Sequence, residues 1–442
     1  MDELSVPWVD DESIRGNRID SACSLAGLVT MERPAPFRSV VDYVSESEKP
    51  VAQSYIRKEP VMEKNIRFVG LDVHAETIAA AVVDPGSLVK SLGTIVHRPE
   101  SVRKLMRRLG HPDQLRVCYE AGPTGYGLYW ILTGMGIHCD VIAPTLIPTK
   151  SGDRVKTDRR DAEKLAKYYQ HGELTPVWVP DAEHEALRDL VRAREAAKTD
   201  QTRARHRLSK FLLRRDRRAP KGVRRWTIKY MTWVRREVKF DLFAQQATLE
   251  DYVAEVLHAG DRIQRLEQRI DDAIEEVPES TRAVIAGLQA LRGIAKISAV
   301  TIVSEVGRLS RFARPKQLMG YSGTVSSEHS SGQRVRRGAI TKMGNAHLRR
   351  VLGEAAWSYR YRPYVGPGLR KRQEGLPAEV VEIAWKAQQR LHRKYQRLLG
   401  RGKIKQQVVT AVARELTGFI WAIGVHLEQG LGVEVMPREA NR

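Results

Sequence analysis

From Asn65 onward three short apolar runs follow one another at hairpin spacing: "NIRFVGLDV", "TIAAAVVDP" and "SLGTIVH". A helical stretch, "PESVRKLMRRLG", comes next, then "QLRVCYEA", a second helix, "YGLYWILTGMG", and a last apolar run, "IHCDVIAP". Runs of this length between turn residues read as strands, and apolar positions recurring every three or four residues read as helices. In this order the opening run reads as the centre of a mixed sheet. A further helix starts near Asp158, within "KTDRRDAEKL".

The resulting order, βββαβαβα, is that of ribonuclease H-like folds, whose carboxylates sit on the first strand, the fourth strand and a late helix. Acids of this chain fall at those places. Asp72 ends the first run, Glu120 ends the fourth, and Asp158 and Asp161 open the late helix. Positions i and i+3 of a helix share a face, so Asp158 and Asp161 point the same way while Arg159 and Arg160 point elsewhere. Mg²⁺ takes oxygen ligands and keeps several waters, so two or three carboxylates around a phosphate form its usual protein site, with Mn²⁺ able to replace it. Each acid alone reads as a turn residue or a helix cap, and Asp158 itself could N-cap the helix. The four together, on this element order, read as a metal site. His74 faces the same side as Asp72 by alternation; a plain polar residue at a strand end is the preferred reading. Glu163, one position off the face of the two aspartates, reads as surface.

The rest of the chain divides by texture. Residues 1–63 are rich in Asp, Glu, Ser and Pro without periodicity, as in a flexible leader, and 64–180 hold the sheet domain. Residues 181–285 show only helical periodicity, as in a coiled-coil insert. Between its arms, residues 203–239 carry 15 Lys or Arg and 2 acids, with Trp226, Tyr230 and Trp233 interleaved. A solvated helix face mixes its signs, so this run points to nucleic-acid contact by Arg203, Arg205, Arg207, Lys210, Arg214, Arg215, Arg224 and Arg225. Residues 286–442 are again helical, with "GIAKISAVTIVSEVG" resembling a helix-hairpin-helix, for which a purely structural turn is an equal reading. The fold expected is therefore α/β plus all-α. The formal charge of +21, from 74 Lys and Arg against 53 Asp and Glu, favours a polyanionic partner. The hydrophobic fraction of 42% and the lack of a run of about 18 apolar residues argue against a membrane span. Three scattered cysteines fit neither a disulfide framework nor a zinc site and suggest a reducing cytoplasm.

A second dense signal is "YSGTVSSEHSSGQRVRRGAITKMGNAHLRR", residues 321–350. Serine clusters are ordinarily loops. Here hydroxyls stand beside Arg334, Arg336, Arg337 and Lys342, which could clamp a phosphate while one hydroxyl attacks it. Spacing does not say which serine.

Taken together, "GLDVH", "YEAGPTG", "KTDRRDA", the helical insert, "LRGIAKISAVTIVSEVG" and "SSGQRVRRGAITKMGNAHLRR" resemble the DEDD-type insertion-sequence transposases, which are bridge-RNA-guided serine recombinases with a RuvC-like first domain. The likeness spans about residues 65–360. It implies a metal tetrad of Asp72, Glu120, Asp158 and Asp161 and a nucleophile at Ser331, directly before Gly332, with Ser330 the neighbouring candidate. It further implies double-stranded target and donor DNA, a structured noncoding guide RNA whose pairing supplies sequence, and a homo-oligomer, dimer or tetramer, in a prokaryotic, nucleoid-associated setting. Because acids and serine lie on either side of the insert, one protomer's acids are expected to meet another's serine. The competing expectation is a RuvC-like junction nuclease in which metal-bound water attacks and the serine loop only binds DNA.

Overall fold

The computed structural model describes residues 66–148, 157–328, 330–331 and 336–433. The proposed leader, Lys156 and Arg334 lie outside the described residues. The chain forms two compact units that divide between Asp181 and Ala182.

The first unit is a five-stranded mixed sheet with helices on both faces. Its strands are β1 (Arg67–Val73), β2 (Thr77–Val83), β3 (Lys90–Val96), β4 (Leu115–Glu120) and β5 (His138–Ile142), in the order β3-β2-β1-β4-β5. The first three form an antiparallel meander, while β1 and β4, and β4 and β5, run parallel. The expected strand and helix order and the central place of the first strand are both found, consistent with a ribonuclease H-like transposase domain. Strand alternation then assigns two cores. Val69, Leu71, Val117, Tyr119 and Val141 pack with α1 (Pro99–Leu109) and α2 (Gly127–Gly134) on one face. Ala79, Ala81, Cys118 and Ile142 lie on the other, under α3 (Asp158–Gln170), which contributes Ala162, Leu165 and Ala166.

Gly70 permits this second contact. A Cβ there would overlap the Ala162 carbonyl oxygen and the Ala166 amide nitrogen, both backbone atoms that cannot rotate away. With small residues on strand and helix alike, α3 lies almost directly on β1. Gly70→Ala is therefore expected to cost about 1–3 kcal/mol by overpacking. A thermal unfolding midpoint equal to that of the unsubstituted protein would refute this account of the contact.

In the second unit, α4 (Ala182–Arg214) and α6 (Phe243–Glu276) pair along their lengths. Arg194 meets Glu267 at 2.9 Å, Asp200 meets Arg262 at 3.3 Å and Arg207 meets Glu255 at 2.7 Å. As the first number rises the second falls, so the helices are antiparallel. Their tip holds α5 (Ile228–Arg236) around a small core of its own, with Leu208, Phe211, Val234 and Val253. The remaining helices are α7 (Glu279–Leu288), α8 (Lys296–Val306), α9 (Pro315–Tyr321), α10 (Ala346–Ala356), α11 (Pro367–Gln373), α12 (Ala378–Gly400) and α13 (Lys405–Gly430). They build one large core around α13, where Val412, Leu416, Phe419 and Ile423 are fully buried or nearly so. By length and composition α13 could cross a membrane, but 83% of its apolar window is buried inside the protein. It is the central helix of this core.

Candidate active site

Pairing of β1 with β4 fixes the first part of the site. Leu71 lies opposite Tyr119, so Asp72 and Glu120 follow one residue later at the same edge of the sheet. Alternation turns both toward the α3 face, since Asp72 is in phase with Gly70, and Glu120 with Cys118. The close approach at Gly70 then carries the first turn of α3 to that edge. Thr157, not Asp158, caps the helix: its side chain accepts from the Arg160 amide at 3.4 Å. Asp158 is thereby left at the first helical position with its carboxylate 63% exposed.

His74 joins two of the acids. Its Nε2 stands 3.4 Å from Asp72 Oδ2 and 3.5 Å from Asp158 Oδ1. Donor atoms of Asp72, His74 and Asp158 all lie within 4.8 Å of one another, a spacing one cation could bridge. Burial pushes the Asp72 carboxyl above the usual carboxylate range; His74 opposes this, and the charges of Asp158 and Asp161 add to it. Asp161, whose carboxylate also lies 3.7 Å from Lys164 Nζ, is thus close enough for Asp72 to sense. Glu120 is exposed at the strand end and is not part of the three-residue cluster. The sequence reading undervalued His74; the available signal was its two-residue spacing from Asp72. Glu163 accepts from Arg159 at 2.9 Å along the helix surface.

The donor chemistry suits a hard divalent cation, since carboxylates dominate and the one imidazole is also acceptable to Mn²⁺. Replacing a side chain that orients metal-binding carboxylates commonly costs about 10–100-fold in affinity or activity. His74→Ala is expected to fall in that range, measured as the metal concentration giving half-maximal strand cleavage. No change in that concentration would remove His74 from the site.

The serine loop belongs to the second unit. A two-stranded ribbon, β6 (Ser326–Glu328) with β7 (Arg337–Ile340), is its scaffold. Most of its hydroxyls are engaged locally. Ser322 is buried and donates to Met319 O at 2.9 Å, Ser327 donates to Ala339 O at 3.0 Å, and Ser330 donates to Glu328 Oε1 at 2.8 Å. Ser331 is exposed, as are Arg336, Arg337 and Lys342. Arg336 gives its backbone N–H to Ser330 Oγ, Arg337 lies 3.6 Å from Glu328, and Lys342 adopts a positive φ of 57°. Gly332 and Arg334 lie outside the described residues.

Comparison with known proteins decides the family. An IS110 DEDD transposase model matches residues 69–215, and the model described as "Transposase IS116/IS110/IS902 family" matches residues 286–365. The y4qE protein of Sinorhizobium fredii is 44% identical over 366 residues, covering 82% of this chain and 89% of its own. The transposase for insertion sequence element IS1533 of Leptospira borgpetersenii is 32% identical over 335 residues, 75% of this chain and 96% of its own. The chain belongs to the IS110/IS116 family of insertion-sequence transposases. A pilin gene-inverting protein of Moraxella bovis is also similar, at 25% identity over 276 residues, 62% of this chain and 67% of its own. These names do not favour the junction-nuclease alternative.

An IS110-family transposase acts on DNA, and domains of its DEDD type use a divalent metal. Its basic hairpin is more sharply partitioned than its sequence suggests. Tyr230 and Trp233 are buried in the tip core, so they are packing residues and cannot stack on bases. Arg205 lies over the Trp226 ring at 5.2 Å, and Arg207, though exposed, gives its Nε and Nη2 to Glu255. Arg203 is 3.5 Å from Asp200 but exposed, and Lys210, Arg214, Arg215, Arg224 and Arg225 are likewise exposed. The helix-hairpin-helix segment has a packing explanation as well. Gly293, with φ of 85°, lies where a Cβ would overlap Ala355 O of α10, so its turn is pressed against protein.

Proposed function

We propose that this transposase breaks and rejoins DNA strands through Ser331, with Mg²⁺ or Mn²⁺ held by Asp72, Glu120, Asp158 and Asp161, and with a structured noncoding guide RNA selecting target and donor. The observation that carries the reading is the convergence of Asp72 with the first turn of α3 at one edge of a RuvC-like sheet. A divalent ion there supplies charge neutralisation and polarisation of the scissile phosphate. Asp72, whose carboxyl is pushed above the usual carboxylate range by burial first and by its acidic neighbours after that, is a group that gains from a cation beside it. Ser331 Oγ attacks phosphorus, its proton departs to solvent, and the P–O ester bond passes from DNA to serine. The bond from phosphorus to the leaving strand's oxygen breaks, and that oxygen takes a proton from solvent to end the strand as a hydroxyl. One phosphodiester replaces another, so no nucleotide hydrolysis is required.

Arg336, Arg337 and Lys342 hold the phosphate beside Ser331, with Arg334 in the same role from outside the described residues. Arg203, Arg205, Arg207, Lys210, Arg214, Arg215, Arg224 and Arg225 belong to the RNA- and DNA-binding surface, on which the exposed members, Arg207 among them, make the contacts and Arg205 shapes the hairpin. That hairpin serves as the coiled-coil dimerisation element. Gene inversion, named in the Moraxella relative, conserves the number of phosphodiester bonds, an outcome a covalent intermediate provides. The test incubates full-length protein with element-end DNA and flanking transcripts, then seeks a protein–DNA adduct on denaturing gels. The adduct is expected to vanish with EDTA, return with Mg²⁺ or Mn²⁺, and map to Ser331. An adduct indifferent to chelator, or none under conditions that support cleavage, would overturn the mechanism.

A further inference from the structure

The serine loop leaves the body of its unit at two feet, Tyr321 at the end of α9 and Asn345 before α10, and both are tied to one buried residue. Asn345 N–H donates to Tyr321 O at 2.9 Å, closing the loop at its base. Gly323 and Gly344, both at positive φ, let the two strands cross there, since a Cβ on either would overlap a carbonyl of the opposite foot. Beneath them lies Glu305 of α8, with 0% exposure. Its backbone carbonyl accepts from the Tyr321 hydroxyl at 2.8 Å, and its Oε2 accepts from Asn345 Nδ2 at 2.7 Å.

On its other side Glu305 receives two bonds from Arg192 of α4, at 2.8 and 2.9 Å, with Arg188 3.8 Å away. One position round that helix, Glu195 accepts from His347 at 2.8 Å and from Arg350 at 2.9 Å, both in the first turns of α10. The helix so clasped runs on to Arg214 and bears the exposed cations Arg203, Lys210 and Arg214. A carboxylate shared by so many donors needs its partners for more than packing, since leaving any of these buried groups unmade costs more than an ordinary hydrogen bond.

We propose that the Arg192–Glu305–Asn345 bridge is a positioning element: it fixes both feet of the loop that carries Ser331 and couples them to α4, the helix whose far half meets nucleic acid. This rests on the reading that Ser331 is the nucleophile.

Asn345 offers a clean test, because it also N-caps α10 by accepting from the Leu348 amide at 2.8 Å, and serine caps as well as asparagine. Asn345→Ser keeps the cap and loses the amide that reaches Glu305. In the full-length protein the amides of Thr341, Lys342 and Asn345 are expected to exchange with solvent about tenfold faster. Single-turnover adduct formation is expected to fall about tenfold, with DNA affinity within about twofold and secondary structure intact. Unchanged exchange, or faster exchange with an unchanged adduct rate, would overturn the proposal. If the protein with Ser331→Ala still forms the adduct, the nucleophile reading fails instead, and the exchange result still reports whether the bridge holds the loop.

Discussion

Asp158→Ala is expected to reduce strand cleavage by at least about 10³-fold, because a carboxylate at a metal–phosphate centre supplies several kcal/mol of charge stabilisation and each 1.4 kcal/mol is a factor of ten. Asp72→Asn should be as severe, with a diagnostic difference in stability. Burial and the neighbouring Asp158 and Asp161 raise the Asp72 pKa in the folded protein. A raised carboxyl contributes stability below its ordinary value of 3.8, and loses that contribution as pH rises through the folded value. At neutral pH without metal, the ionised side chain therefore works against folding, and removing its charge should not lower the unfolding midpoint. Inactivity with an undiminished midpoint is what a ligand under electrostatic load predicts. A midpoint that drops sharply would mark Asp72 as a structural residue, and cleavage surviving Asp158→Ala would dismantle the metal site altogether.

The same prediction has a metal counterpart. Adding Mg²⁺ or Mn²⁺ should raise the midpoint of the unsubstituted protein, since a ligand that binds only the folded state stabilises it. With Asp72→Asn that increment should shrink.

What could be read from sequence here followed periodicity. A short apolar run at hairpin spacing located β1 with Asp72 at its end, and the three-residue spacing of Asp158 and Asp161 gave their common face once the helix existed. The approach of α3 to β1 was not legible, because it depends on Gly70 meeting Ala162 and Ala166 across more than ninety residues of chain. The alternative that Asp158 merely caps its helix could not be settled from sequence, because Thr157 and Asp158 are both good N-cap residues and only the backbone path, which makes Thr157 the cap, distinguishes them. Trp233 and Tyr230 look like base-stacking side chains beside so many cations, yet a hairpin tip far from the main core must bury its own aromatics to stay folded. Glu305 gave no sequence signal at all. It sits in an apolar run, and its partners Arg192, Tyr321 and Asn345 are distant along the chain.

The largest expected effect separates two adjacent hydroxyls. Ser331→Ala should abolish the covalent protein–DNA adduct, since deleting a nucleophile in other hydroxyl-dependent enzymes lowers turnover by roughly 10⁶-fold. Ser330→Ala should retain the adduct at a reduced rate. Ser330 Oγ donates to Glu328 at 2.8 Å and accepts from the Arg336 amide at 3.2 Å, so it links both strands of the ribbon, with its proton and one of its lone pairs already engaged. Ser331, exposed like Ser330, makes no side-chain hydrogen bond among the described residues. Losing the Ser330 bonds loosens the ribbon by about the worth of one or two hydrogen bonds, roughly 1–3 kcal/mol, without removing the attacking oxygen. Reversal of this pattern, with the adduct lost in Ser330→Ala and kept in Ser331→Ala, would move the nucleophile by one residue and recast Ser331 as a bystander. Loss in neither would return the reaction to water, and the loop to DNA binding.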